Sequence, residues 1–482
     1  MKGTDIAKRL IDKFTKERPV LIYGDPDVDG LLSLYLVCRF LDILKVKYSF
    51  YVNDKRKHGF ELQPSALSGY FVIAVDFDIP AEIMKSLVDN DVCILSMDHH
   101  EIQGDFLTFK NDKTGAEGVI LNNQYYFEDK ENHYLSGAGV VYEVLKAEYP
   151  EFGSEELEVL VGITLLSDAR PIENARARAY LKTTYASDTQ SGYLNYLITQ
   201  VSDVDFGFGT PRLDRNFIDF TLSPRINSLL RFGKEKEALN FILGKGLVTK
   251  NSKERQKDIV TLMLNRCKEL RLPNLTVMYV DVNDFIDFID VDLTSFIGLA
   301  CSKKKGTGAS VLGFVIDNGV ITRASFRGRY DDVPYRMGFV RNGINAQGHN
   351  SAFGIKELNP TQELWIDLDT LIGQLDEHHE SKLTVLEVSN LSFVMLTQGL
   401  TIATENCYVR DMYRTYFKYV GHGAKKIRET FKEVDGVKVV KYIEYIVDGK
   451  KIKSFGVPVE EGYILPVLEK GYINLYVTEA IE

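Results

Sequence analysis

The sequence has few cysteines, and no two of them lie close together. The absence of any C-x-x-C pair argues against a clustered zinc site and against the disulfide framework of a small secreted domain. The five cysteines are Cys38, Cys93, Cys267, Cys301 and Cys407. This scattered pattern fits a reducing compartment, and we expect a cytoplasmic protein.

Long apolar runs are also missing. The longest, "LLSLYLVCRFLDIL", is too short to span a bilayer and contains Arg39. The amino-terminal stretch "MKGTDIAKRLIDKFTKERP" lacks the continuous apolar core of a signal peptide. We therefore predict a soluble protein without a membrane partner.

An excess of positive charge is the third absence. The formal net charge is −10, which lowers the expectation of nucleic-acid binding but says nothing about a local groove. The hydrophobic content of 45% and the charged content of 26% are ordinary for a globular protein. At 482 residues, the chain is long enough for about three domains.

Three short apolar runs in the first hundred residues predict buried strands. The runs "PVLIY", "YFVIAV" and "VCILSM" end at residues 23, 75 and 97, and helical patterns at 31–44 and 81–88 separate them. This alternation is typical of βαβ units around a parallel sheet. Acidic residues follow each run, so we expect them to converge at the carboxyl edge of the sheet, where ligands of α/β proteins bind.

The remaining chain divides into segments of different pattern. Helical spacing dominates residues 191–270, with a connecting helix in "KNSKERQKDIVTLMLNRCKEL", and a second α/β pattern follows. Period-two alternation with Asp-Gly turns at 435–436 and 448–449 predicts β-hairpins. We predict an α/β protein with a parallel-sheet domain at 1–190, a helical connector at 191–270, a second α/β domain at 271–375 and a β-rich domain at 380–482.

The stretch "YGDPDVDGLLS" places Asp25, Asp27 and Asp29 within five residues of one another. Taken alone, Asp29 could simply cap the following helix while Gly30 permits a tight turn. Three neighbouring carboxylates, however, raise one another's pKa values and cost folding free energy unless a cation is present. The cluster therefore favours a metal site.

Asp168, in "LLSDARPI", lies near the end of an apolar helix, where the helix dipole disfavours an anion by roughly 0.3–1 kcal/mol. A bound cation would reverse that penalty, although a solvated acid is the alternative. Carboxylates together with imidazoles suit Mn²⁺, with Mg²⁺ possible and Zn²⁺ less natural. We predict two divalent cations, Mn²⁺ preferred, for the hydrolysis of a phosphodiester or phosphoanhydride.

Two histidine pairs occur in acidic surroundings. "SMDHHEI", at 96–102, follows the third predicted strand and so belongs to the same sheet edge as the aspartates. "DEHHE", at 376–380, lies in a highly charged segment, and we predict that His378 and His379 form a solvated surface pair.

Eight stretches, in order, resemble known motifs. "GDPDVDG", "AVDFDI", "MDHHE", "LSGAGVVYEVL" and "LVGITLLSDARPI" resemble the motifs of the DHH phosphoesterase superfamily. "SPRINSLLR", "ASFRG" and "AQGHNSAFG" resemble its RecJ branch. The resemblance covers roughly residues 18–356. It implies a DHH domain, a connecting helix, a DHH-associated domain and, often in this branch, an oligonucleotide-binding β-barrel.

The resemblance also implies roles for the matching acids. Asp27 would bind the first metal, Asp29 the second, and Asp76 would bridge them as a catalytic residue. His99 and Asp168 would complete the second metal site.

His100 would face the scissile phosphate, and Asp98 would orient the imidazoles from behind. Some positions depart from the family pattern. Many relatives have a histidine ligand at the position of Tyr23, so the first metal would be weaker unless Asp25 substitutes. Gln347 stands where a glycine is expected.

Substrate contacts follow from the same resemblance. Ser325 and Arg327 would hold a terminal 5′ phosphate through charge-assisted hydrogen bonds. Arg225 would contact a backbone phosphate with support from Asn227, and His349 would reach into the cleft from the second domain.

The loop "NDKRKHGF" occupies the place of a phosphate-binding arginine in the family. An ungapped match indicates Lys55, whereas residue type indicates Arg56, and both remain candidates. In the last segment, "YRTYFKYVGHGAKKIR" interleaves aromatic and basic residues, which could bind a single strand or could be core and solvated face.

The resemblance implies a 5′ to 3′ exonuclease on single-stranded DNA that uses two divalent cations. A DHH phosphodiesterase for short oligoribonucleotides or cyclic dinucleotides is one alternative, and an inactive nucleic-acid-binding scaffold is another. We expect a monomer in a bacterial or phage-infected cell, with a single-strand-binding protein or recombination and replication proteins as possible partners. Divergent motif turns would suit a phage-encoded relative.

Overall fold

The structure is a computed structural model of the full chain. It describes residues 3–54, 60–100, 108–124, 133–168, 170, 175–190, 192–201, 213–288, 291–305, 308–330, 333–355, 361–379, 384–388, 415–420, 424–434, 437–447, 449–454, 459, 461–469 and 472–478.

The first sheet has six strands in the order β2-β1-β3-β4-β6-β5. All neighbours pair in parallel except β5 and β6, which are antiparallel. The strands are β1 (Val20–Gly24), β2 (Tyr48–Val52), β3 (Phe71–Val75), β4 (Cys93–Asp98), β5 (Thr108–Asn111) and β6 (Ala116–Asn122). The three predicted strands are thus confirmed as β1, β3 and β4, and each is buried throughout.

The first helices of the chain pack with this sheet, and their apolar faces share one core with it. They are α1 (Gly3–Glu17), α2 (Val28–Ile43), α3 (Ala81–Asp89), α4 (Gly137–Glu148) and α5 (Glu155–Ser167). Helix α2 is buried along most of its length because it packs against β1, α4 and α5. This rigid packing fixes the β1–α2 turn, which carries the aspartate cluster.

The next described segment is mainly helical, as predicted. Its helices are α6 (Ala175–Ala186), α7 (Gly192–Thr199), α8 (Arg215–Phe217), α9 (Ser223–Arg231), α10 (Glu235–Ile242) and α11 (Asn251–Arg266). A π-helix (Ile218–Leu222) joins α8 to α9. Residues of this segment as far as Val248 belong to the core of the first sheet. Helix α11 is the predicted connecting helix, and it contacts both α9 and the following part of the chain.

A second six-stranded sheet follows, in the order β11-β12-β10-β9-β8-β7. Only β8 and β9 pair in parallel. Its strands are β7 (Lys268–Arg271), β8 (Leu275–Asp281), β9 (Ser310–Asp317), β10 (Val320–Arg327), β11 (Ala346–His349) and β12 (Ala352–Ile355). The accompanying helices are α12 (Ile297–Lys305), α13 (Tyr335–Arg341) and α14 (Gln362–Asp376). Short 3₁₀ helices lie at Pro64–Leu67, Pro150–Phe152, Val282–Phe288 and Leu293–Ser295.

The last segment is β-rich, as predicted. A seven-stranded sheet has the order β13-β14-β18-β19-β17-β16-β15. Its strands are β13 (Thr384–Val388), β14 (Thr415–Tyr419), β15 (Lys425–Val434), β16 (Val437–Val447), β17 (Lys450–Ser454), β18 (Tyr463–Glu469) and β19 (Tyr472–Thr478). Antiparallel pairing of β15 with β16 and of β16 with β17 confirms the two hairpins. An oligonucleotide-binding barrel and the domain boundaries stay predictions.

No helix among the described residues is both long and apolar enough to cross a membrane.

Candidate active site

The turn between β1 and α2 holds the first aspartates of the site. Asp27 is the N-cap of α2, and its Oδ1 accepts a hydrogen bond of 3.0 Å from the backbone N–H of Gly30. A Cβ at Gly30 would lie 2.3 Å from the carbonyl oxygen of Asp25, so the turn requires glycine here. The expectation that Asp29 could cap this helix is therefore wrong, because Asp27 is the N-cap.

Asp29 points instead at the beginning of α4. Its two carboxylate oxygens accept hydrogen bonds of 2.6 Å from Gly137 N–H and 2.9 Å from Ala138 N–H. These donors and the positive end of the helix dipole favour an anion at this point. Even so, burial, followed by the charges of Asp168 and Asp27, raises the pKa of Asp29 well above its ordinary value.

Asp76 follows β3 in a left-handed backbone conformation, with φ of +57°. This conformation is uncommon for a residue other than glycine and is often found at functional sites. The side chain is 3% exposed. Burial and then the charge of Asp29 raise the pKa of Asp76 well above its ordinary value. A Cβ at Gly137 would lie 2.5 Å from Asp76 Oδ1, so Gly137 makes room for this carboxylate.

His99 lies at the centre of the buried carboxylates. Its Nε2 is 3.1 Å from Asp76 Oδ1, 3.7 Å from Asp168 Oδ2 and 3.8 Å from Asp29 Oδ2. Burial, followed by the charge of Arg170, lowers the pKa of His99 well below its ordinary value, so the ring is held neutral. A neutral imidazole nitrogen surrounded by three carboxylates is a donor set for a divalent metal.

Several polar atoms of this cluster are buried without a hydrogen bond. Among the described residues, nothing donates a hydrogen bond to Asp76 Oδ1 or Asp168 Oδ2, and His99 Nδ1 has no hydrogen-bond partner. Leaving such atoms unsatisfied costs about 1–3 kcal/mol each, and more for charged groups. Bound cations would satisfy the two carboxylate oxygens. These residues therefore fit a metal centre.

The possible ligand atoms form overlapping groups, within each of which they lie inside 4.8 Å of one another. One group has only carboxylates and another combines carboxylates with His99. The groups are Asp25, Asp27 and Asp76; Asp29, His99 and Asp168; and Asp76, Asp98, His99 and His100. The structure thus brings all six predicted metal-binding residues to one sheet edge.

Asp98, at the end of β4, forms a close pair with His100. Its Oδ1 is 2.8 Å from His100 Nδ1. Burial alone would raise the pKa of Asp98, but the charge of His100 and their hydrogen bond lower it to about 2. Burial alone would lower the pKa of His100, but Asp98 raises it to about 10. We predicted that Asp98 orients both imidazoles. The structure corrects this for His99, since Asp98 hydrogen-bonds to the ring of His100 and not to that of His99.

The second sheet contributes His349, at the end of β11. Its Nε2 is 2.9 Å from Asp168 Oδ1, and its ring stacks on that of His100 with centroids 5.4 Å apart. Burial would raise the pKa of Asp168, but the charge of His349 and their hydrogen bond lower it. His349 therefore reaches the carboxylate cluster from the second sheet, as predicted.

Ser325 and Arg327 lie on β10 beside the beginning of α12. Arg327 donates a hydrogen bond of 2.9 Å from Nη1 to Ser325 Oγ and one of 3.1 Å from Nε to Ser302 Oγ. A Cβ at Gly298, the second residue of α12, would lie 2.5 Å from Arg327 Nη2. A guanidinium, a hydroxyl and the first turn of a helix together form a suitable surrounding for a phosphate.

Helix α9 contains Arg225, Asn227 and a further arginine whose role the sequence did not indicate. Arg225 is 6% exposed, and Asn227 Oδ1 is buried without a hydrogen-bond partner among the described residues. Burial and then the charge of Arg327 lower the pKa of Arg231 to about 10, whereas Asp27 acts in the opposite direction. Arg231 therefore lies within electrostatic reach of both the aspartate turn and the Ser325–Arg327 pair. Its place inside "SPRINSLLR" was the available signal.

Tyr23 is fully buried and belongs to the local packing. Its ring stacks on Tyr51 and Phe60, with centroid distances of 5.5 and 4.5 Å. Its hydroxyl group donates to Asn53 Oδ1 and accepts a hydrogen bond of 2.9 Å from the backbone N–H of Glu61. The tyrosine therefore replaces a possible nitrogen ligand with an anchor for the β2 region.

Two further predictions concern residues outside this centre. Lys55 and Arg56 lie outside the described residues. His378 is exposed as predicted, but His379 is half-buried and its ring stacks on Tyr330 with centroids 3.7 Å apart. The predicted solvated pair is therefore wrong for His379, because an aromatic neighbour just beyond the end of β10 covers its ring.

Comparison with known proteins shows what this chain is similar to. The sequence model of the DHH family, N-terminal domain, matches residues 19–165. The single-stranded-DNA-specific exonuclease RecJ of Bacillus subtilis is 24% identical over 295 residues, which cover 56% of this chain and 35% of the relative. RecJ of Thermus thermophilus is 23% identical over 253 residues, which cover 50% of this chain and 35% of the relative. These matches span about a third of each relative's length.

Solved structures show the same fold. The Mn²⁺ complex of RecJ from Thermus thermophilus superposes with a TM-score of 0.66 at 16% identity, over 99% of this chain and 71% of that chain. A manganese-bound exonuclease RecJ superposes with a TM-score of 0.52 at 17% identity, over 78% of this chain and 94% of that chain. Residues 19–165 therefore match the DHH family, N-terminal domain, and the chain as a whole has a RecJ-like fold.

Proposed function

We propose that the chain is a metal-dependent exonuclease that removes nucleotides from the 5′ end of single-stranded DNA by a two-metal mechanism. The convergence of buried, incompletely hydrogen-bonded carboxylates around His99 carries this proposal. A cluster of this kind is tolerable in a folded protein when divalent cations neutralise it.

The carboxylates divide into two sets of ligands. Asp25 and Asp27 would hold the first ion, Asp29, His99 and Asp168 the second, and Asp76 would bridge them, because its oxygen belongs to both neighbourhoods. Oxygen ligands with one imidazole suit Mn²⁺, and Mg²⁺ also fits. When bound, such a pair lowers the pKa of a water molecule and stabilises the attacking and leaving oxygens of a phosphoryl displacement.

His100 would act on the scissile phosphate. With a pKa raised to about 10, its imidazole is positively charged at neutral pH and suited to an anionic phosphate oxygen. Asp98 fixes the ring through the 2.8 Å contact with Nδ1 and leaves Nε2 for the substrate. His349, stacked on His100, would support the same phosphate from the second sheet.

The preference for a 5′ end would come from Ser325 and Arg327. A terminal phosphate has more negative charge than an internal one, and it would be held by the guanidinium, the Ser325 hydroxyl and the first turn of α12. The charge of Arg231 interacts with those of Arg327 and Asp27. Arg231 would therefore neutralise the DNA backbone between the terminal phosphate and the metal centre. Release of mononucleotides would require that one nucleotide spans these two sites.

Single-stranded DNA is the proposed substrate because the matched relatives are single-stranded-DNA-specific exonucleases by name. We further expect a monomer that works in the cytoplasm of a bacterial or phage-infected cell, in DNA repair or recombination. A single-strand-binding protein or replication proteins would present the substrate.

End-labelled single-stranded DNA tests the proposal. With Mn²⁺, the purified chain should release labelled mononucleotide at once from a 5′-labelled strand and only late from a 3′-labelled strand. The Asp76→Ala variant should release none, because it lacks the carboxylate between the two ligand sets.

Other outcomes point to the alternatives. Rapid turnover of dinucleotides with little action on a long strand would favour the oligoribonucleotide or cyclic-dinucleotide phosphodiesterase. Equal behaviour of the wild type and Asp76→Ala would favour a nucleic-acid-binding scaffold.

A further inference from the structure

The π-helix before α9 presents an aromatic side chain to solvent. Phe220 is 64% exposed, compared with 42% for Phe50 and for Phe431. A π-turn is rare and commonly marks a functional site, since it re-aims the side chains that it contains. Leaving a phenylalanine ring in water has no benefit for folding, and the exposed ring is available to stack on a ligand.

Basic residues lie near Phe220. The Nζ atom of Lys253, on α11, donates a hydrogen bond to the backbone carbonyl of Phe220. Lys257 is one turn further along α11 and therefore on the same face of that helix. Arg225 is on α9, which begins directly after the π-helix.

The positive charges of this surface act on one another. Burial, followed by the charges of Arg225 and Lys257, lowers the pKa of Lys253. Like charges placed close together repel one another, and an anion bound between them would relieve that repulsion. An exposed ring beside clustered cations is the composition of a site where a base stacks and the adjoining phosphates are attracted.

Helix α9 connects this surface to the metal centre. It begins at Ser223, and its last residue is Arg231, whose charge is coupled to Asp27 and Arg327. Over these residues the helix extends for roughly 12 Å at 1.5 Å per residue. A strand whose 5′ end lies at the centre could therefore reach Phe220 with a following nucleotide.

We propose that Phe220, Lys253 and Lys257, the Phe220 platform, bind single-stranded DNA, with a base stacked on the Phe220 ring and its phosphates held by the two lysines. The platform would lie on the 3′ side of the reacting nucleotides and would keep the strand engaged between successive cleavages. This inference deepens the proposed exonuclease function and rests on it for the direction of the strand.

The test is binding of two fluorescently labelled strands of equal length and charge by the full chain in the presence of chelator. One strand is oligo(dT), and the other is an abasic phosphodiester strand that has no base to stack. The wild type should prefer oligo(dT), and Phe220→Ala should weaken oligo(dT) binding by about 5- to 150-fold while leaving the abasic strand unaffected. Phe220→Tyr should restore the preference.

Two variants serve as comparisons. Ile366→Ala, at a side chain that is 55% exposed on α14, should change neither affinity. Lys257→Gln should weaken binding of both strands equally and reduce the slope of log affinity against log salt by about 1. An unchanged oligo(dT) preference in Phe220→Ala would overturn the platform.

The outcome is distinguishable from failure of the exonuclease proposal. Loss of the oligo(dT) preference in a chain that releases no nucleotide would support the platform and exclude the enzyme. Normal mononucleotide release with an unaffected preference would support the enzyme and exclude the platform. A shift of Phe220→Ala to a smaller species in sedimentation, with normal DNA binding, would assign Phe220 to contact between protein chains and overturn the proposal.

Discussion

The Nε2 atom of His349 lies 2.9 Å from Oδ1 of Asp168, although 181 positions separate the two residues. His349 ends a strand of the second sheet, whereas Asp168 caps the last helix around the first. The site is therefore complete only when the two parts of the chain are packed together. Substrate between them would experience an imidazole from one part and the carboxylate cluster of the other.

The first prediction concerns this contact. His349→Ala should lower kcat/KM for single-stranded DNA by about 10- to 100-fold, because it removes a hydrogen-bonding group worth about 1.5–3 kcal/mol when a charge is involved. Mn²⁺ affinity, measured by titration calorimetry, should change much less than in Asp168→Ala. His378→Ala, at an exposed histidine, is the matched control and should behave as the wild type. Full activity of His349→Ala would exclude a role for this contact.

The second prediction concerns the space beside Asp76. Gly137→Ala would place a methyl group 2.5 Å from Asp76 Oδ1, so the carboxylate must move. We expect Mn²⁺ affinity to fall by about 10- to 100-fold, which is typical when the support of a metal ligand is lost. Gly246→Ala, where a Cβ would meet its nearest neighbour at 3.5 Å, is the control. Normal Mn²⁺ binding by Gly137→Ala would contradict the proposed ligand set.

The third prediction separates the phosphate pocket from the metal centre. Arg327→Ala should reduce the preference for a 5′-phosphorylated strand over a 5′-hydroxyl strand by about 10-fold or more, because a charge-assisted hydrogen bond is lost. Gly298→Ala should act in the same direction, since its Cβ would lie 2.5 Å from Arg327 Nη2. Initial rates on the two substrates provide the measurement, with Mn²⁺ affinity as the control. Equal losses on both substrates would show that the pocket does not read the terminal phosphate.

The fourth prediction follows from the raised pKa of Asp76. In the folded, metal-free protein, this carboxyl group binds a proton more tightly than in the unfolded chain, where its pKa is near 3.8. Its stabilising contribution is therefore present at pH values below 3.8 and is lost as pH rises through the folded pKa. Asp76→Asn cannot ionise, so without metal it should be more stable than the wild type at about pH 8, with a smaller difference at about pH 5.

Thermal melts with chelator and with Mn²⁺ give the measurement. Each kcal/mol gained should raise the Tm by about 2–4 °C in a domain of this size. Excess Mn²⁺ should make the wild type more stable than Asp76→Asn. The ion stabilises the wild type by binding, whereas the variant has lost one of its ligands. A difference in Tm that does not vary with pH in the absence of metal would be evidence against the buried, raised-pKa state of Asp76.

Much of the first sheet was accessible from sequence because its central strands are unbroken apolar runs. β2 was missed because it is an edge strand, half exposed along "YSFYV", and so has no continuous buried run. The acids could be placed at one edge because parallel strands end together. Which carboxylate caps α2 could not be predicted, because Asp27 and Asp29 are both near the beginning of that helix.

Contacts between distant segments were harder to predict. The pairing of His349 with Asp168 was expected only through the family resemblance, since no local pattern relates them. Gly298 gave no signal, because its importance arises from the packing of α12 against β10. The prediction for His379 was wrong because it used only the charged residues around it in sequence. The ring of Tyr330, which stacks on His379, is distant in sequence.

The backbone at Asp76 has a further consequence for the evolution of this chain. A φ of +57° is more favourable for glycine and asparagine than for aspartate, and either substitution would also remove a buried ionisable group. Selection for thermostability alone would therefore exchange Asp76 for one of them. Only a continuing demand for the proposed metal-binding role of Asp76 would oppose that exchange, so the residue at this position would indicate whether a lineage still binds metal here.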